Sequence, residues 1–95
     1  MVIWSDTALS DLLELSSVVE KNFSSEVADR VVDDLVAYMD NQLNKNKELG
    51  RSFDLNPYYR YLVFKGNKIF YTPYESEDDV YIVHVNARNS ELIDF

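Results

Sequence analysis

The feature that most constrains this chain is a change in the spacing of its apolar residues near the middle. Up to about residue 45 they recur at helical intervals, and beyond about residue 58 they crowd into short aromatic and β-branched runs. Leu9, Leu12, Leu13, Leu15, Val19 and Phe23 make one stripe, with Ser5, Asp6, Ser10, Asp11 and Glu14 largely on the other side. Ser5 or Asp6 can accept a free N–H of the first turn, so the spacing predicts a helix over about 6–22. Ser24-Ser25-Glu26 reads as a break and a new cap, with an acid favoured at the positive end of the helix dipole. Val27, Val31, Leu35, Met39 and Leu43, widened by Val32, Val36 and Tyr38, predict a second helix over about 25–45. Asp29, Asp33, Asp34 and Asp40 lie mostly off that stripe, and Asn44-Lys45-Asn46-Lys47 ends it with cations near the last carbonyls. A short break between two amphipathic helices predicts an antiparallel hairpin.

Only two glycines and two prolines punctuate the chain, so each is informative. Val2-Ile3-Trp4 is a short β-type run, expected to pair within the same sheet as the later strands. Leu49 to Pro57 reads as a loop with two apolar pegs, and Tyr58 to Phe64 as a strand. Gly66-Asn67, between Lys65 and Lys68, is a two-residue hairpin signal. Lys68 to Thr72 is the return strand, ended by Pro73, which cannot donate to a ladder. Glu75 to Asp79 is an acidic turn, Val80 to Val85 a third strand, and Ala87 to Phe95 a tail with one helical turn at most. The order β-α-α-β-β-β predicts one α+β domain over 1–95, a short N-terminal strand and an antiparallel helical hairpin packed on a mainly antiparallel three- to four-stranded sheet.

Several function classes lose support here. There are no cysteines, so neither disulfides nor thiolate metal sites are available, and one histidine, His84, with carboxylates is a poor zinc set; no metal or cofactor is expected. No run approaches the length of a membrane span, and the first residues lack a basic segment followed by an apolar one, so a cytoplasmic protein without a membrane partner is the expectation. The two glycines lie far apart and make no phosphate loop. His84 is expected on one strand face with Val80 and Ile82, which reads as a partly buried, satisfied histidine.

Charge is uneven. Against an overall −8, residues 1–48 carry four basic and ten acidic groups, a net −6, whereas residues 51–68 carry Arg51, Arg60, Lys65 and Lys68 against Asp54 alone, a net +3. The bland reading is a solvated acidic helix pair beside ordinary surface cations. The sharper reading adds Arg88 and the interleaved Tyr58, Tyr59, Tyr61, Tyr71 and Tyr81, because cations beside aromatic rings on a sheet can hold phosphates and stack bases. The same tyrosines can equally be core packing against the helices, and the residues alone leave both open.

Leu49-Gly50-Arg51, Tyr59-Arg60-Tyr61-Leu62-Val63, Lys68-Ile69-Phe70-Tyr71, the run Val80 to Val85 and Ala87-Arg88-Asn89 together resemble the RelE/ParE toxin superfamily, in order and over nearly the whole chain. Ser5 to Leu12 resembles its first helix. The resemblance implies the toxin of a bacterial type II toxin–antitoxin system, neutralised by a cognate antitoxin, as a homodimer or a toxin–antitoxin hetero-oligomer. It also implies one of two targets, DNA gyrase for ParE-like members or the ribosome with its mRNA for RelE-like endonucleases. In the endonuclease case Arg60, Lys68 and Arg88 match catalytic positions around the scissile phosphate, and His84, Tyr58, Tyr59 or Tyr71 would have to move protons. In either case Arg51, Arg60, Lys65, Lys68 and Arg88 are expected to contact target or antitoxin. The chain departs from the RelE pattern at Leu62, where a second strand lysine is expected, and at Ile93-Asp94-Phe95, where a C-terminal tyrosine is expected. Those departures and the long helical hairpin favour the ParE branch. A small interaction domain using the acidic helix face is the third reading.

Overall fold

The computed structural model describes residues 2–46, 50–73 and 79–86. Its elements are β1 (Val2–Trp4), α1 (Asp6–Asn22), α2 (Ser25–Lys45), β2 (Arg51–Phe53), β3 (Asn56–Phe64), β4 (Asn67–Pro73) and β5 (Val80–Asn86). Both helices start where a serine can cap them. Ser5 Oγ accepts from the Ala8 N–H at 3.0 Å and Ser24 Oγ accepts from the Val27 N–H at 3.2 Å. Each of these bonds satisfies one of the four free donors at a helix start. Phe23 and Ser24 alone separate the helices, so they pack antiparallel as predicted.

The sheet order is β1-β5-β4-β3-β2, antiparallel except for the parallel pair β1–β5. The N-terminal run does pair in this sheet. A fifth strand, β2, adds to the expected set where the sequence reads as a loop. Its strand character comes from pairing with β3 (Arg51 opposite Tyr61, Ser52 opposite Arg60), a non-local cause that a three-residue stretch does not advertise.

Three further differences have physical reasons. The β3–β4 turn is Lys65-Gly66, with φ of 51° and 85°, and Phe64 pairs with Asn67. Both central residues of this tight turn need φ > 0, and a Gly66-Asn67 turn would have set Lys65 directly across from Lys68, a repulsive pair. Secondly, Phe70 pairs with His84 but Tyr71 with Ile82, so Val83 is an extra, bulged residue. The bulge breaks the alternation: Ile82 and Val85 both join the helix-facing core, while His84 falls opposite Phe70 and not on the Val80–Ile82 face. Thirdly, Asp11 is not on a solvated side. β1 stops short of the end of β5, and α1 completes that edge: the Ser5 N–H donates to Ile82 O, Ser5 Oγ donates to Val83 O, and the Val85 N–H donates to Asp11 Oδ2 at 2.9 Å.

The core lies between the helical hairpin and one sheet face, where Leu35, Met39, Ile69, Tyr71 and Ile82 are fully buried beside Leu12, Leu15 and Leu43. The apolar stripe of α1 divides: Leu12 and Leu15 are buried, while Leu9, Leu13 and Phe23 remain exposed. Truncating Leu35 to Ala is expected to cost about 2–5 kcal/mol through lost transfer energy and a cavity. Leu13→Ala should stay within about 0.5 kcal/mol of the parent. Urea titration of both variants checks the division, and equal losses would refute it.

Candidate functional site

Strand alternation decides where the predicted cations point. Arg60 pairs with Tyr71, whose side chain is in the helix-facing core, so Arg60 belongs to that side of the sheet. There it meets the start of β2. Arg60 Nη1 donates to Gly50 O at 2.9 Å, and the Gly50 N–H donates to the Tyr71 hydroxyl at 2.7 Å inside the protein. Tyr71 is 0% exposed, so its hydroxyl must find a partner within the fold. A Cβ on Gly50 would lie 2.6 Å from that hydroxyl and 2.7 Å from Tyr61 O, which leaves room only for glycine. Gly50 and Arg60, two of the residues that carry the family resemblance, are thus joined in one structural node.

Lys68 lies on the opposite face. Its Nζ sits 5.3 Å from the centre of the Tyr61 ring, and Tyr61 alternates with Arg60 along β3. Arg51, Tyr61, Phe70 and His84 make one cross-strand row on this face, with His84 at the end that meets Asp11 of α1. Arg51 is exposed at the end of the row. The rings beneath are packing, not a stacking platform: Phe53 and Phe70 meet edge-on at 4.8 Å and both are buried, and Lys68 covers Tyr61. Tyr61 and Tyr71 are therefore engaged in packing, whereas Tyr58 is 80% exposed and Tyr59 and Tyr81 are partly exposed.

Lys65 stands apart from both groups, at the β3–β4 turn. It faces Asp34 of α2 at 3.9 Å, a largely exposed pair of little energetic weight. Arg88 and the tail from Ala87 onward lie outside the described residues. Leu62, where the RelE pattern has a lysine, packs against the helix-facing core.

Proton-transfer candidates fare differently. The Tyr71 hydroxyl is buried and engaged. His84 Nδ1 lies 3.2 Å from Asp11 Oδ2, so the half-buried ring is satisfied by an α1 carboxylate that also holds the Val85 N–H. Tyr58 and Tyr59 are the remaining hydroxyls of the set. Among the described residues no group of three or more His, Asp or Glu could hold a metal, and no helix is long and apolar enough to cross a membrane.

One surface was not read from the sequence. A groove of about 530 Å³ runs between α1 and α2, lined by Leu9, Leu12, Leu13, Ser16, Asp29, Val32 and Asp33. The available signal was the width of the α1 stripe, since Leu9 sits about a quarter of a turn and Leu13 more than a third of a turn away from the core line through Ala8, Leu12 and Leu15.

The family described as the ParE toxin of the type II toxin–antitoxin system, parDE, matches residues 2–92. No curated protein matches the chain. Among solved structures, the chromosomal ParDE system from P. aeruginosa is similar in fold, with a TM-score of 0.80 at 19% identity over 93% of this chain and 95% of that one.

The Gly50–Tyr71–Arg60 node generates a stability prediction. Tyr71→Phe leaves the buried Gly50 N–H without its acceptor and is expected to cost about 1–3 kcal/mol. Gly50→Ala forces β2 away from β3 and is expected to cost a similar ~1–3 kcal/mol. Chemical denaturation of the two single variants and the double variant should show strong non-additivity, and simple addition would mean the two residues do not act through one contact.

Proposed function

The chain belongs to the ParE toxin family of type II toxin–antitoxin systems, and from that membership we propose that it arrests growth by binding DNA gyrase, is held inactive by a cognate antitoxin, and does not cut RNA. The observation that carries this reading is the division of the cations. Cleavage by attack of a 2′-hydroxyl on the adjacent phosphate needs positive groups converging where charge develops, with a base and an acid in reach. Arg60 is directed to Gly50 on the helix side of the sheet, and Lys68 lies over Tyr61 on the other. Two of the three cations that would surround a scissile phosphate therefore face away from each other. The Tyr71 hydroxyl, one of the proton-transfer candidates, is enclosed. Binding a protein target requires none of this convergence.

A bound antitoxin suits the same geometry. β2 is the last strand in the sheet order, so its outer edge offers main-chain groups to which an extended peptide can add. Arg51, exposed on that strand, favours an acidic peptide there. In this reading the protein acts in the cytoplasm, where gyrase and antitoxin are both met, and is stored as a toxin–antitoxin hetero-oligomer.

The experiment pairs two assays on the purified protein. Gyrase supercoiling should be inhibited in a dose-dependent way, and addition of the product of an adjacent antitoxin gene should restore it. Primer extension on mRNA in a reconstituted translation system should show no cuts. Ribosome-dependent cuts that vanish in Arg88→Ala would instead establish the RelE-like endonuclease and sink the gyrase reading.

A further inference from the structure

We propose that Leu55 and Tyr58, at the β2–β3 end of the sheet, form a preset knob that enters an apolar pocket of the protein target, a contact that rests on the gyrase reading above. The knob comes from the strand register. Arg51 pairs with Tyr61 and Ser52 with Arg60, but the next residue, Phe53, pairs with Asn56, so one step along β2 answers to four along β3. Pro57, Tyr58 and Tyr59 are thus extra residues in this ladder, and extra residues bend a strand and re-aim its side chains. Tyr58 is 80% exposed, and Leu55, in the turn before it, 72%. Both ends of the stretch are anchored. Phe53 is buried with its ring 4.8 Å from that of Phe70, and Arg60 Nη1 donates to Gly50 O at 2.9 Å. Pro57 adds a narrowly set φ. Single exposed apolar residues are ordinary. Here two share one bulged span held at both ends, so little freedom is lost when they bind, which is what gives tyrosine its weight in protein interfaces.

The shape selects a folded partner. A partner that binds as an extended strand or a single helix presents a ridge and needs a trough to lie in. A projecting ring and leucine need the reverse, a pocket in a surface that is already folded. Of the two partners proposed for this chain, the antitoxin segment at the β2 edge is of the first kind and gyrase of the second. The pocket that fits is apolar, with a polar group where the ring ends, because a phenol hydroxyl taken out of water needs a partner. A second copy of this chain meets the knob less well. Its groove between α1 and α2 takes such a ring only head to tail, which leaves each copy's own groove open and builds rings or filaments, not a closed pair.

The test is inhibition of gyrase supercoiling by the purified full chain, with Tyr58→Ala, Tyr58→Phe, Leu55→Ala and Leu13→Ala run beside the parent and a urea midpoint measured for each. Tyr58→Ala is expected to need about tenfold more protein for half-inhibition, and Leu55→Ala about threefold more. Tyr58→Phe, which keeps the ring, should lose no more than about threefold. Leu13→Ala removes a similarly exposed apolar side chain from the helical hairpin and is expected to match the parent. The urea midpoints should all lie near the parent's, since each side chain is exposed. Full potency in Tyr58→Ala overturns the proposal and leaves the gyrase reading standing, whereas a parent that does not inhibit gyrase overturns both. An equal loss in Leu13→Ala also overturns it, because the effect would then not belong to this end of the sheet. Two further outcomes hand the knob to another occupant and sink the proposal. One is unchanged gyrase inhibition with about tenfold weaker binding of the product of an adjacent antitoxin gene by Tyr58→Ala. The other is concentration-dependent assembly of the parent, seen by sedimentation, that Tyr58→Ala abolishes.

Discussion

A phenol buried without solvent contact has to place its hydroxyl, and much of the sheet follows from how Tyr71 does so. Its ring belongs to the helix-facing core, which pins β4 at the middle of the sheet. Its hydroxyl reaches past the core to the Gly50 N–H, so the chain leaving the helical hairpin is held against β3 at a distance that excludes any Cβ. β2 then starts in register with β3, and Arg60, drawn to the Gly50 carbonyl, is fixed on that side of the sheet. The separation of Arg60 from Lys68 follows from strand alternation and the β3–β4 register, and core packing decides which of the two faces the helices cover. An unmade hydrogen bond at this depth costs about 1–3 kcal/mol, a sizeable part of what a domain of this size has to lose.

The helices were legible because every local signal agreed. Ser5 and Ser24 cap where the stripes begin, acids occupy the first turns, and cations the last. The long strands were legible from composition. What escaped was set by non-local geometry. β2 is a strand only because β3 lies beside it. The hairpin turn was displaced by one residue because cross-strand lysine repulsion is a property of the paired state. The face of His84 was inverted by the bulge at Val83, which exists because Ile82 and Val85 both seek the core across a two-residue gap that ordinary alternation cannot bridge.

The candidate site was legible as a list of charges and not as an arrangement. A net +3 over residues 51–68 is plain in the sequence, and alternation alone separates Arg60 from Tyr61. Which of those faces the helices cover is decided by packing, and so is the ring under Lys68. Asp11 illustrates the limit: at helical spacing it reads as a solvated acid, yet it completes the open edge of β5 and contacts His84. The edge that needs it is created by β1 being only three residues long.

The molecule therefore presents two surfaces built on opposite logic. On the sheet, Lys68 rests on the Tyr61 ring with Val63 exposed beside it, so a partner gains charge contacts at the rim, main-chain contacts at the β2 edge and the apolar area of Val63. On the helical hairpin, exposed leucines supply the apolar area and the acids supply direction. The fully buried layer of Leu35, Met39, Ile69 and Ile82 lies between the two surfaces, and close-packed interiors do not deform gradually. Substitutions at exposed positions on one surface should accordingly combine additively with those on the other, since they share no partner and are separated by a core that has a single arrangement. Coupling between them would require that layer to have a second packing, and the bulge in β5, where the alternation is already broken and α1 is bonded to the strand edge, is the point in the fold where such a rearrangement would begin.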